Sequence, residues 1–164
     1  MLAGDTPGKD SLMLDFSGDQ IKFNDALIQS KQLNKDSLLN VFTDFLISQP
    51  GIAIALTNDE LKNNHYNFGI KHMIQNGFRN ERDADIVFVL KPNWLVWSNK
   101  KGTSHGTPYE YDTHVPLIFY GWKIKNSKSN AVVKITDIAP TVSKLLGIEK
   151  PEGATGKVID MKSE

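Results

Sequence analysis

The sequence predicts an α/β or α+β sandwich, and three observations carry that expectation. Short apolar runs of strand length alternate with longer segments of helical spacing, and turn-forming residues separate them. One run, Ile86 to Leu90, has five consecutive apolar residues, the pattern of a strand buried on both faces. The 164 residues suffice for one domain with a real core.

Residues 1–11 are rich in Gly, Pro, Asp and Ser and read as a linker. Leu12–Phe16 and Gln20–Phe23 read as two strands, with Ser17-Gly18-Asp19 as their hairpin turn. Asn24 can cap a short helix that runs to about Lys31. A second helix is expected from Lys35 to Ser48, because Leu38, Leu39, Val41, Phe42, Phe45 and Leu46 recur at helical spacing; Pro50-Gly51 stops it. Ile52–Leu56 reads as a strand, and the polar stretch Asn58–Gly77 as helical in parts. After the Asp85–Leu90 run, Pro92-Asn93 turns the chain into an expected edge strand, Trp94–Trp97.

Asn99–Tyr111 reads as a loop, and Val115–Tyr120 as a further strand with Pro116 near its start. A last helix is expected from Asp137 to Leu146, capped by Thr136 or Asp137, with Pro140 at its first turn and Gly147 as its stop. Its apolar stripe, Ile138, Ala139, Val142, Leu145 and Leu146, is the expected buried face. On that reading Leu145→Ala costs about 2–5 kcal/mol.

Composition removes several function classes. The 19 basic and 19 acidic residues balance, which argues against a nucleic-acid partner. Clusters such as Lys100-Lys101 and Lys123/Lys125/Lys128 are short and read as solvated surface. With no cysteine there is neither a disulfide scaffold nor a thiolate zinc site. No apolar run approaches the roughly 20 residues that span a bilayer, so no membrane partner is expected. The N-terminus lacks a signal peptide's basic start and apolar stretch. The chain is therefore expected to be cytoplasmic or to be a piece whose signal lay upstream.

Common catalytic motifs fail. Gly4-Asp5-Thr6-Pro7-Gly8-Lys9-Asp10 is one residue short of a phosphate-binding P-loop, and Asp10 stands where a hydroxyl should hold magnesium. There is no Gly-x-Ser-x-Gly elbow and no His-Glu-x-x-His helix. Four histidines remain. His65 and His72 lie seven apart, a spacing that two helical turns could place on one face, but two surface histidines are the ordinary and favoured reading. His105 lies in Gly102-Thr103-Ser104-His105-Gly106-Thr107-Pro108, ahead of a strand. Flanking glycines free the backbone to aim an imidazole, and the neighbouring hydroxyls can hold the second ring nitrogen. His105 is thus a candidate metal ligand, against the ordinary reading of an inert loop histidine.

The segment from Gly102 through Tyr109-Glu110-Tyr111-Asp112-Thr113-His114 to Gly121 resembles the last metal-ligand segment of alkaline phosphatase superfamily enzymes. It is most similar to the monomeric bacterial alkaline phosphatases and the type I phosphodiesterase/nucleotide pyrophosphatases. Ile135–Ile148 resembles the helix that follows in the same superfamily, with sulfatases carrying a similar one. Gly153–Ile159 resembles the closing turn, and Ile74–Phe78 and Asp85–Pro92 also resemble the phosphatase branch. The strong likeness covers about residues 70–160.

The resemblance implies a partial α/β sandwich with a mixed sheet flanked by helices, residues 12–164 being the C-terminal segment of such a domain. It implies that His105 is a zinc ligand, that His114 is structural or supports the ligands from behind, direct ligation being the lesser alternative, and that Asp112 and Tyr111 shape the loop. It implies two zinc ions in the parent enzyme, a Thr or Ser nucleophile, a phosphate-ester substrate and a periplasmic or secreted location. The nucleophile and the remaining ligands are not recognisable. No Asp-His dipeptide occurs, and no Thr or Ser in residues 1–60 reads as lying at a strand-to-helix junction. Since a zinc site takes three or four protein ligands, the chain is expected to be inactive alone, with no catalytic residue of its own. It would then be a piece of a longer enzyme, a truncated gene product or a subunit completed by a partner, and exposed sheet edges would favour self-association. The alternatives are a non-catalytic interaction domain that keeps the fold, or a sulfatase relative.

Overall fold

The computed structural model describes residues 11–79, 84–96, 102–121 and 124–161, so most of the expected linker lies outside it. The chain divides into two compact units, with the boundary between Val115 and Pro116.

The first unit is built on a four-stranded sheet. Strands β1 (Met13–Ser17) and β2 (Gln20–Phe23) form the expected hairpin, and Gly18 takes the left-handed turn conformation at φ +61°. Asn24 caps helix α1 (Asp25–Ser30) by accepting the Leu27 N–H, and Asn34 likewise caps α2 (Lys35–Ser48) through Ser37. Strand β3 (Ile52–Thr57), helices α3 (Asn58–Asn63) and α4 (Gly69–Gly77), and strand β4 (Ile86–Leu90) follow. The order across the sheet is β1-β2-β4-β3. The α/β class holds. The ladders between described strands are all antiparallel, where the resemblance implied a mixed sheet. Two helical segments, rather than a single crossover helix, separate β3 from its neighbour β4.

Alternation across β4 gives each face of the sheet its own core. Ile86 and Phe88 join Ile21, Phe23, Ile28, Leu39 and Leu46 beneath α1 and α2. Val87 faces the other way, with Leu56 and Leu61 against Tyr66, Ile74 and Phe78. A register shift between Ile52 and Ile54 sends these two residues to opposite cores, although two-residue spacing alone would put them on one face. Of the expected α2 stripe, Leu39 and Leu46 are buried and Leu38 and Phe42 pack partly, while Val41 and Phe45 are exposed.

One polar clamp closes this unit. Lys35 Nζ lies 2.6 Å from Asp25 and 2.7 Å from Asp85, and Asp85 also accepts the Phe23 N–H at 2.8 Å. Burial pulls the Lys35 pKa down, but hydrogen bonds and charge from Asp25 and Asp85 outweigh it and leave the ammonium raised above its ordinary value.

In the second unit a 3-10 turn, Ile135–Asp137, leads into α6 (Ile138–Leu146), and Gly147 ends it in the left-handed conformation at φ +70°. The expected buried face is not the observed one. Pro140, Thr141 and Ser143 are buried, whereas Leu145 is 39% and Leu146 66% exposed. The reason is a long-range hydrogen bond: Thr141 Oγ1 accepts the Ile159 N–H at 2.9 Å and donates to Asp137 O at 2.5 Å, so the returning segment covers the polar face. Asp137 does not cap α6. Its carboxylate instead accepts the N–H groups of Lys134 (2.9 Å) and Lys157 (2.8 Å), which hold its pKa below the ordinary value. Gly156 packs directly on the backbone of Thr136, where a Cβ has no room.

Val115–Tyr120 and 94–96 form no ladder among the described residues, and Trp97 lies outside them. Ile118 is 81% and Tyr120 99% exposed. An apolar, β-branched run has strand propensity, but a ladder also requires a neighbouring strand to pair with.

Candidate metal-ligand site

The loop that carries His105 belongs to the first unit. Its backbone passes through Gly102 at φ +140° and Gly106 at φ +93°, both in the region that favours glycine. Thr107 follows, held by Asp112: the carboxylate accepts the Thr107 N–H at 2.9 Å and its hydroxyl at 2.7 Å. These two bonds, the hydroxyl first, hold the Asp112 pKa below the ordinary carboxylate value, and the His105 imidazole is near enough to add to the effect. Between them Pro108 leads into one helical turn, α5 (Glu110–Thr113).

Two tyrosines moor this loop, one to the end of β4 and one to the turn that follows it. The Tyr109 hydroxyl donates to the carbonyl of Leu90, the last residue of β4, at 2.6 Å. The Tyr111 hydroxyl accepts the N–H of Asn93 at 3.3 Å, and Asn93 is in the left-handed conformation at φ +65°. The two rings stack with centroids 5.7 Å apart. Burial, with Tyr111 beside it, raises the Tyr109 pKa and keeps its hydroxyl protonated as a donor. The turn after β4 is itself tied to the start of β3: Lys91 N–H donates to Gly51 O at 2.8 Å, and the Trp94 ring lies over Gly51.

His105 is exposed to solvent at the end of this moored loop. His114, the first residue after α5, is 81% exposed and stands 3.9 Å from Glu110, consistent with a place on the loop's outer surface. His65 and His72 do not share a helix: His65 lies between α3 and α4, and His72 is on α4. Both nitrogens of His72 are engaged, with Tyr66 O at 2.7 Å and the Asn76 amide at 2.9 Å. Among the described residues no three His, Cys, Asp or Glu side chains converge on a point that could hold a metal. His105 fits as one donor, and the remaining donors of a zinc site are not supplied by these residues.

One expectation is corrected here. Thr57 does stand at a strand-to-helix junction, as the last residue of β3 and the N-cap of α3. Its hydroxyl accepts the Glu60 N–H at 3.1 Å, and Glu60 accepts the Thr57 N–H at 2.8 Å, a reciprocal capping box. The threonine is 6% exposed and its oxygen serves the helix, so it is not a free nucleophile. The sequence signal for it was Thr57-Asn58-Asp59-Glu60, the capping-box pattern itself. Tyr109 carried no such signal, and Tyr111 was expected to shape the loop only through the family resemblance.

Fold and loop together define an α/β unit whose glycine-flanked, moored loop presents the His105 imidazole to solvent. Comparison with known proteins gives it relatives. The chain is 36% identical over 152 residues to alkaline phosphatase PafA of Elizabethkingia meningoseptica, a match that covers 93% of this chain and 28% of that enzyme. It is 33% identical over 140 residues to alkaline phosphatase PhoV of Synechococcus elongatus, covering 85% of this chain and 25% of that one. A calcium-transporting ATPase of Myroides odoratus is 31% identical over 141 residues, with 85% of this chain and 26% of that protein matched. The crystal structure of wild-type PafA superposes with a TM-score of 0.83 at 35% identity, covering 90% of this chain and 28% of that structure. No protein-family model matches the chain. The chain is thus a relative of the alkaline phosphatases, a family of phosphate-ester hydrolases, and spans just over a quarter of the length of the PafA it matches. Among the described residues no helix is long and apolar enough to cross a membrane.

Proposed function

We propose that this chain is the C-terminal part of a zinc-dependent phosphomonoesterase or phosphodiesterase, that it contributes His105 as one zinc ligand, and that it is inactive by itself. The observation that carries this reading is the exposed His105 imidazole on a glycine-flanked loop moored to the sheet, in a chain whose relatives are alkaline phosphatases several times its length. Zinc in such a site would supply Lewis-acid charge stabilisation and an acidified water. The part of that work done by this chain is to hold one imidazole, exposed, at a fixed place beyond the end of β4. The names of the relatives favour phosphate over sulfate esters, and the ATPase among them adds a nucleoside triphosphate to the substrates worth assaying. A periplasmic or secreted location follows from the same likeness.

The second reading, an interaction domain without chemistry, is favoured by the lack, among the described residues, of any three side chains grouped to hold a metal. Joining the chain behind the portion of the Elizabethkingia phosphatase that it does not cover separates the two. Turnover of a chromogenic phosphate ester by the joined protein, none by the chain alone, and a loss of at least about 100-fold in His105→Ala support the phosphatase reading. A joined protein that folds, binds zinc and turns over nothing favours the interaction domain. Activity within twofold of wild type in His105→Ala would remove the histidine from the site.

A further inference from the structure

The structure assigns to Tyr109 a role as positioning residue: its hydroxyl, bonded to Leu90 at the end of β4, fixes where the His105 imidazole stands. This deepens the proposed function and rests on it. Three observations bear on it. The Tyr109 bond, at 2.6 Å, runs from the loop to a backbone carbonyl of the most buried strand, so the loop is referenced to the rigid part of the unit. Inside the loop, Tyr109 is also the hub of the turn, since its carbonyl accepts the N–H groups of Asp112 (2.9 Å) and Thr113 (3.0 Å). Asp112 in turn grips Thr107, two residues from His105.

The path is therefore continuous from β4 through Tyr109 and Asp112 to Thr107 and His105. A surface loop with glycines at φ +140° and φ +93° has little intrinsic stiffness, so the position of its histidine depends on such tethers. Tyr111, stacked on Tyr109 and bonded to Asn93, is the second and longer tether. A metal ligand loses affinity when the groups that orient it are removed, typically by 10–100-fold.

Tyr109→Phe tests this, because it keeps the ring and its stacking and removes only the hydroxyl. In the 164-residue chain, amide hydrogen exchange at Thr107 and Asp112 is expected to speed up about tenfold, with Phe88 and Val89 unchanged. In the chain joined behind the portion of the Elizabethkingia phosphatase that it does not cover, zinc affinity is expected to fall about 10–100-fold while KM at saturating zinc stays within twofold. Unchanged exchange at Thr107, or faster exchange with unaltered zinc affinity, overturns the positioning role. His105→Ala in the joined protein keeps the two ideas apart. If that variant is fully active, the proposed function itself fails. If it is inactive and Tyr109→Phe is indistinguishable from wild type, only the positioning role fails.

Discussion

The two units of this chain hold themselves together by different means. In the unit up to Val115, backbone groups pair in antiparallel ladders, and apolar side chains fill a core on each face of the sheet. In the unit from Pro116 onward, side chains take over that pairing: Asp137 serves the N–H groups of Lys134 and Lys157, and Thr141 serves Ile159. The first arrangement gains from burial of apolar area, and the second mainly from satisfying backbone donors. Strand-forming sequence is present in both units, yet among the described residues only the first turns it into a sheet.

That contrast can be broken at three points. Phe88→Ala removes a side chain that is 1% exposed at the centre of the larger core. It is expected to destabilise the first unit by about 3–5 kcal/mol in chemical denaturation; a cost below about 1 kcal/mol would mean that the core lies elsewhere. Thr141→Val keeps the shape of a residue that is 1% exposed and deletes its hydroxyl. The expected cost is about 1–3 kcal/mol, read as faster hydrogen exchange at Ile159 and along α6 and not in β4. A neutral result would show that the second unit does not depend on its side-chain pairing. Leu145→Ala is expected to cost less than about 1 kcal/mol in this chain, because the side chain is largely exposed. A loss of about 2–5 kcal/mol would restore the apolar stripe of α6 as its buried face.

Features encoded locally were legible in the sequence. The hairpin turn at Gly18, the cap at Asn24, the span of α2, the buried β4 run and the left-handed stop at Gly147 each depend on a few adjacent residues, and each stands in the structure where the sequence put it. The buried face of α6 was not legible, because it depends on Ile159, 18 residues beyond Thr141. The Val115–Tyr120 run misled for a related reason: propensity is a property of the segment, whereas pairing is a property of its neighbour. At the candidate site, the glycines around His105 pointed to a special backbone, and their positive φ values agree with that. The mooring through Tyr109 was invisible, since a hydroxyl bonded to a carbonyl 19 residues away leaves no periodicity and no motif.

The most direct test is a crystal structure of the chain joined behind the portion of the Elizabethkingia phosphatase that it does not cover, with data collected at the zinc edge. The account predicts an anomalous peak about 2.0–2.1 Å from a ring nitrogen of His105. A zinc peak whose ligands do not include that imidazole would contradict it.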